Sequence, residues 1–346
     1  MSLKDKINSH LNILVRLPNW VGDIVMAIPS LKNLKEAFPK HKIIGTGKPF
    51  IKDILKSNQI FDEYIIKPPK SDGTANYLSY IQKLKDLSPA SAILFTNSFS
   101  SAFDIFLARF PVRFGYKNEL REIILTDSVP MPKVPMDELY SNLVQNFSCP
   151  IIHKELELPL DEKSIRIFNI VEEKYDIKDD EVILGLNPGA GFGESKKWPP
   201  HYFVKLAELL LKKYPKLRFF VFGGPGDEQR ADFISNQIGD SAINLSKECL
   251  GLHNSKPFFH RMQALITTDS GLRWYGIAMQ KPTFVLFGSS DPSLTNCFTD
   301  NFYPLRKPVS CSPCKNRICP TDFACMNELT PKTVFENILS LKEKIF

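Results

Sequence analysis

Leu265-Ile-Thr-Thr-Asp-Ser-Gly-Leu-Arg-Trp-Tyr-Gly-Ile-Ala-Met-Gln-Lys-Pro-Thr-Phe-Val-Leu-Phe-Gly288 is the stretch from which the fold can be read. It begins and ends on short apolar runs rich in Ile, Val, Phe and Thr, each halted by polar residues or glycine, as buried strands are. Between them, residues 271–279 fit one short helix with Ser270 or Asp269 as its N-cap. Strand, tight acidic turn, helix and strand make a parallel βαβ unit. Ligands of such units bind outside the carboxyl ends of the strands, where Asp269, Ser270 and Gly271 fall. The free N–H groups of a helix start suit an anion such as a diphosphate. A capped βα turn with no ligand has the same spacing.

The alternation continues toward the N-terminus. Residues 182–187 read as a strand, 201–214 as an amphipathic helix, 217–223 as a strand and 227–237 as a helix. Asn187-Pro-Gly-Ala-Gly-Phe-Gly193 leaves the first of these strands, and glycine permits close backbone approach to a ligand. Lys196, Lys197 and Trp198-Pro-Pro200 follow. A glycine loop with a lysine beside a helix start suits a diphosphate, with Gly189 and Lys196 as candidates, although such loops also occur without a ligand. Phe222-Gly-Gly-Pro-Gly-Asp-Glu228 repeats the pattern one strand later. There Asp227 and Glu228 either accept ribose hydroxyls or close a tight turn.

The first half has its own series. Strands are expected at residues 12–16, 42–46, 61–66 and 92–96, with helices at 23–37, 50–57 and 77–87. The opening strand–loop–helix lacks G-x-G-x-x-G and G-x-x-x-x-G-K-[ST], which argues against a dinucleotide dehydrogenase or a P-loop enzyme. Asp23 stands at the helix start, as a cap or as a general base at the mouth of the sheet. Asn97 and Ser98 leave the 92–96 strand and either cap the next helix or face a ligand. Arg113 and Arg121 make a basic stretch at a strand end. Residues 149–166 lose the rhythm and read as a connection, and an amphipathic helix at 330–344 is expected to pack back on the first half. The fold class is α/β: two Rossmann-like, doubly wound parallel-sheet domains, 1–160 and 161–346, facing a central cleft.

Composition sets limits. At 346 residues with 43% hydrophobic and 24% charged side chains, the chain has room for two domains of a soluble globular protein. No apolar run approaches the roughly 20 residues of a membrane helix, and the polar start lacks a signal-peptide core, which points to the cytosol. Residues 1–150 hold 19 Lys or Arg against 14 Asp or Glu, so most of the net +6 lies there. That excess suits an anionic partner such as a membrane surface or a phosphorylated substrate, or simply a solvated face. No nucleic-acid motif appears. Four of the seven cysteines cluster as Cys311-x2-Cys314-x4-Cys319-x5-Cys325, and in a cytosolic chain this leaves a structural metal or free thiols.

Taken in order, the segments around Leu17–Ala27, Thr96–Ala102, Arg113–Tyr116, Asn187–Gly193 with Lys196–Pro199, Phe222–Gly224, and Thr268–Gly271 with Leu286–Pro292 resemble the ADP-heptose:lipopolysaccharide heptosyltransferases, family 9 glycosyltransferases of GT-B fold, and in particular their heptosyltransferase II branch. The resemblance implies an inverting transfer of heptose from ADP-heptose to the inner core of lipopolysaccharide, with no metal required for turnover. Asp23 takes the place of the base. Gly189, Lys196, Asp227, Glu228, Asp269, Ser270, Gly271 and Trp274 fall on the donor side, and Asn97, Ser98, Arg113 and Arg121 on the acceptor side. A lipid-linked acceptor implies peripheral contact with the inner face of the inner membrane. By their spacing, Cys311, Cys314, Cys319 and Cys325 are the candidates for a structural zinc, with free thiols as the alternative. The family motif reads Asp-[Ser/Thr]-Gly-x-x-His, and Trp274 replaces that histidine. This departure opens two alternatives: another nucleotide-sugar donor, or a catalytically silent paralogue that binds sugar nucleotides.

Overall fold

The computed structural model describes residues 2–87, 90–248, 250–295 and 297–346, apart from the side chains of Leu294 and Thr299. Within it the chain divides into two compact units, Met1–Glu157 and Leu158–Phe346. Each is built on one six-stranded, wholly parallel sheet.

In the first unit the strands are β1 (Asn12–Arg16), β2 (Lys42–Gly47), β3 (Glu63–Ile66), β4 (Ala90–Leu94), β5 (Val112–Lys117) and β6 (Asp127–Pro130). Their spatial order is β3-β2-β1-β4-β5-β6. In the second unit they are β7 (Ile183–Asn187), β8 (Arg218–Val221), β9 (Ala242–Asn244), β10 (Ala264–Thr268), β11 (Thr283–Phe287) and β12 (Phe302–Arg306), in the order β12-β11-β10-β7-β8-β9. The second sheet thus repeats the winding of the first. In both, the chain starts in the middle, builds one side, then crosses back to build the other.

Helices cover both faces of the central strands, so β4, β7, β10 and β11 are buried at every position. That is why these segments read as unbroken apolar runs rather than alternating ones. In the first unit Leu14, Ile44, Ala92 and Leu94 pack with Tyr80, Ile81, Leu84, Ile105 and Phe110. The Val21–Ala37 helix is buried along most of its length from Gly22 to Leu34 and lies against the Met136–Gln145 helix. In the second unit Leu186, Ile266, Phe284 and Leu286 pack with Trp198, Phe203 and Leu210. Trp198 is wholly buried, and its indole N–H donates to the Leu329 carbonyl at 2.7 Å, so its one polar atom costs nothing on burial.

Three expectations need correction. The helix after β10 spans only Arg273–Ala278, because residues 269–272 form a tight turn in which Ser270 N–H donates to Thr268 O and Arg273 N–H to Ser270 O. Neither Ser270 nor Asp269 caps it. The amphipathic tail is two pieces, Pro331–Leu339 and Lys342–Ile345, and Val334, Ile338 and Ile345 join the core of the second unit itself. Finally, residues 149–166 are not all connection. The Glu162–Lys174 helix starts there, fixed by reciprocal bonds between Asp161 and Ser164.

Candidate active site

In a doubly wound sheet the ligand site lies where the strand order reverses, outside the carboxyl ends of the two strands that flank the reversal. In the second unit those strands are β7 and β10, and in the first they are β1 and β4. The loops after β7 and β10 carry Gly189, Lys196, Asp269, Ser270 and Gly271. Those after β1 and β4 carry Asp23, at the start of the next helix, and Asn97 and Ser98.

In the second unit the turn after β10 is tied to β7 from beneath. The side-chain amide of Asn187 donates to the hydroxyls of Thr267 and Ser270, both at 2.8 Å, and the Thr268 hydroxyl donates to the Gly189 carbonyl. This fixes Asp269 at the strand end. Its carboxylate meets the Lys196 ammonium at 2.5 Å and the Arg273 guanidinium at 2.8 Å, and accepts from the Ser290 hydroxyl at 2.6 Å. Burial pushes the Asp269 carboxyl up, but the charges of Arg273 and Lys196, with the bonds from Lys196 and Ser290, outweigh it and hold the group below the usual range. Two cations therefore face one carboxylate in a nearly buried setting.

Arg273 is 2% exposed and stands beside three aromatic rings, at 4.6 Å from Trp274, 5.4 Å from Phe287 and 5.5 Å from Phe302, with the Thr295 hydroxyl at 2.5 Å. Trp274 is likewise buried and meets Phe298 edge to face. Its ring thus packs with the guanidinium that holds Asp269. The Lys196 ammonium also lies 4.9 Å from the Phe192 ring.

Lys197 binds Glu194 and Asp227, each at 2.7 Å. Asp227 also occupies the space above Gly189, where a Cβ would stand 2.3 Å from its carboxylate oxygen. The close approach of this loop to the next one therefore requires glycine. Asp227 is committed to Lys197, while Glu228 is exposed at the first turn of the Glu228–Ile238 helix and accepts from Gly226 N–H at 2.8 Å.

In the first unit Asp23 lies in the first turn of the Val21–Ala37 helix, which has no side-chain cap bond. Its charge reaches Tyr140, whose hydroxyl is pushed well above the usual value by burial first and then by Asp23. Tyr140 in turn stacks on Phe95, just after β4, at 5.5 Å. The Asn97 carbonyl accepts from Asn118, and the Ser98 hydroxyl lies 3.3 Å from that of Ser100.

The two arginines expected to meet the acceptor are engaged by backbone carbonyls. Arg113 gives its Nε to the Ile124 carbonyl at 2.7 Å and an Nη1 to Phe110 O. Arg121 is wholly buried, with Nε on Tyr116 O at 2.6 Å and Nη1 on Thr96 O. Burial pulls the Arg121 pKa down to about 10. Gly115 makes room for it, since a Cβ there would stand 2.7 Å from its Nη2. Both side chains brace strand-end carbonyls. Arg121→Ala is therefore expected to lower unfolding free energy by about 3 kcal/mol, from lost charged hydrogen bonds and a cavity. Denaturant titration checks this, and unchanged stability with a raised acceptor KM would return Arg121 to the acceptor.

With the geometry in place, comparison decides the relationship. The model of glycosyltransferase family 9 (heptosyltransferase) matches residues 77–324. The chain belongs to glycosyltransferase family 9. It is 28% identical over 302 residues to lipooligosaccharide heptosyltransferase 2 of Haemophilus ducreyi, covering 82% of this chain and 85% of that one. Among solved structures, E. coli ADP-heptose lps heptosyltransferase II matches with a TM-score of 0.76 at 22% identity, over 95% of this chain and 98% of that one. E. coli heptosyltransferase WaaC with ADP-2-deoxy-2-fluoro heptose matches with a TM-score of 0.71 at 14% identity, over 95% and 99%. The protein is thus a glycosyltransferase with the GT-B pair of Rossmann-like units.

Several groups of this family 9 glycosyltransferase escaped the sequence reading. Arg273 occupied an unassigned position in Asp-Ser-Gly-x-x, and only its i,i+4 spacing from Asp269 hinted at the pair. Ser290 lies beyond the next strand, inside the Leu286–Pro292 segment that carries the resemblance but without a role assigned to it. In the first unit Lys48, exposed just past β2, lies 5.3 Å from the Trp20 ring and 5.7 Å from that of Phe50. Among the described residues no group of three or more His, Cys, Asp or Glu side chains is gathered as a metal site, and no helix is long and apolar enough to cross a membrane.

Proposed function

We propose that this family 9 glycosyltransferase moves a heptose from ADP-heptose to the inner core of lipopolysaccharide, with inversion at the anomeric carbon. The observation that carries this reading is the buried Lys196–Asp269–Arg273 constellation at the strand-order reversal of the second sheet. The substrates named for the heptosyltransferase relatives support the choice of donor and acceptor.

On this reading the second unit holds the donor. Lys196 exchanges part of its contact with Asp269 for the diphosphate, and backbone N–H groups near Ser270 and Gly271 assist. Asp269 faces the heptose hydroxyls. Glu228, rather than the committed Asp227, meets the ribose. The first unit holds the acceptor, with Asn97, Ser98 and the exposed cation Lys48 as contacts. Asp23 takes the proton from the acceptor hydroxyl as that oxygen bonds to the anomeric carbon, and the bond from that carbon to the diphosphate oxygen breaks. ADP departs with its electron pair, its developing charge met by Lys196 in place of a general acid. The metal expected at the cysteine cluster is structural and takes no part in the transfer. Because the acceptor is lipid-linked, the protein meets the inner face of the inner membrane peripherally through its basic first half.

Trp274 favours a second reading, an enzyme of the same fold with altered donor preference. Calorimetric titration with a non-hydrolysable ADP-heptose analogue beside ADP, UDP and GDP separates the two. Selective binding of the adenosine compounds is the expected result. Preference for UDP or GDP would replace the donor.

A further inference from the structure

The loop between β12 and the Ala324–Asn327 helix brings the four clustered cysteines to one small cavity. Its volume is about 80 Å³, and Cys311, Cys314, Cys319 and Cys325 line it together with Ser195 and Ser289. All four are free thiols, ranging from exposed Cys311 to buried Cys325. Cys149 and Cys297 are buried elsewhere and do not line the cavity.

Four thiols from a short segment meeting at one cavity match the donor set that tetrahedral thiolate sites use for zinc or iron. Cys311 and Cys314 supply two ligands from one turn, and Lys315 directly after them is left-handed at φ 58°, which turns the chain sharply. Cys325 supplies another from a helix anchored in the core beside Met326. The sulfurs are not already drawn into a coordination sphere among the described residues. Closing such a sphere is coupled to metal binding itself, because the thiols must deprotonate and gather as the ion enters.

The walls of this cavity are also the supports of the donor loops. Ser195, beside Lys196, has its N–H on Arg317 O at 3.2 Å and its hydroxyl on Ser289 at 2.9 Å and on Asn316 O. Lys315 N–H donates to Ser289 O at 2.8 Å, and the Ser312 hydroxyl donates to Gly288 O at 2.6 Å. The cysteine segment therefore grips both the loop bearing Lys196 and the loop bearing Ser290, the two loops that meet at Asp269.

We propose that Cys311, Cys314, Cys319 and Cys325 bind one divalent zinc or iron ion, and that this ion sets the rigidity of the two loops that hold the donor diphosphate. Donor coupling presupposes that the Lys196 loop binds the diphosphate, whereas metal content does not.

The test uses the full-length protein. Elemental analysis is expected to find one zinc or iron per chain after dialysis, and almost none in Cys311→Ser/Cys314→Ser. Cobalt added to the stripped protein should give a thiolate-to-cobalt charge-transfer band that the double variant lacks. Stripping with a chelator, with the fold checked by circular dichroism, should weaken ADP binding by at least about fivefold, and zinc should restore it. A folded, metal-free protein whose four thiols react freely and give no cobalt–thiolate band would overturn the site. Equal ADP affinity with and without the ion would overturn the coupling. Bound metal with no ADP binding in either form would overturn the donor reading and its coupling, and would support the metal assignment alone.

Discussion

Asp23→Asn is expected to lower heptose transfer by about 10²- to 10⁴-fold, the usual worth of a positioned general base. ADP binding and thermal stability should stay within error. The amide keeps the size of the carboxylate and its place in the first turn of the Val21–Ala37 helix. It loses the ability to accept the acceptor proton, so the effect should fall on kcat more than on either KM. Steady-state kinetics with varied acceptor distinguish this from a capping role. A capping role alone predicts turnover preserved and stability nearly unchanged, since Asn caps a helix start about as well as Asp, and preserved turnover would remove Asp23 from the chemistry.

Asp269→Ala should have a different signature, because it leaves the Lys196 ammonium and the Arg273 guanidinium facing each other with side chains 16% and 2% exposed. Breaking a buried pair by deleting one partner costs about 3–5 kcal/mol, since the remaining charges are uncompensated. Transfer and ADP binding should both collapse. The pH dependence follows from the depressed carboxyl of Asp269. A group whose folded pKa lies below its unfolded value, about 3.9 for Asp, contributes stability fully above that value. The contribution is lost as pH falls through the lower, folded pKa. The stability gap between the native protein and Asp269→Asn should therefore be flat above about pH 5 and shrink below about pH 4. A gap that did not change with pH would mean that the ionised carboxylate is not what holds the two cations.

The strands were legible because parallel strands covered on both faces are apolar at nearly every position. Residues 12–16 and 265–268 could be placed from composition alone. Short edge strands such as Ala242–Asn244 carry too few apolar residues to stand out. The site was half legible. Asp269 and Lys196 sit in loops whose glycines and polar residues announce a strand end, but the partner that completes the pair, Arg273, lies in a short helix where a charged residue reads as solvent-facing. Its burial depends on Phe287 and Phe302, which come from β11 and β12. Arg113 and Arg121 show the converse. An arginine near a strand end looks like an anion contact, and only the fold shows that Tyr116, Thr96, Phe110 and Ile124 turn their carbonyls toward them. Gly115 was the available signal, since a small residue on β5 leaves the space that the buried Arg121 guanidinium needs.

The replacement of the expected histidine by Trp274 has a consistent place in this arrangement. Its indole packs against Arg273, whose charge helps to hold Asp269 ionised. Turnover with an indole at this position is therefore expected.

The most direct measurement is incubation of the protein with ADP-heptose and a lipopolysaccharide core acceptor lacking its outer heptose. The product's mass, the ADP released and the anomeric configuration of the new linkage are the readouts. The account predicts one heptose added per ADP released, with the configuration opposite to that of the donor, and loss of both in Asp23→Asn. ADP-heptose bound without transfer, or a product that retains the donor configuration, would contradict it.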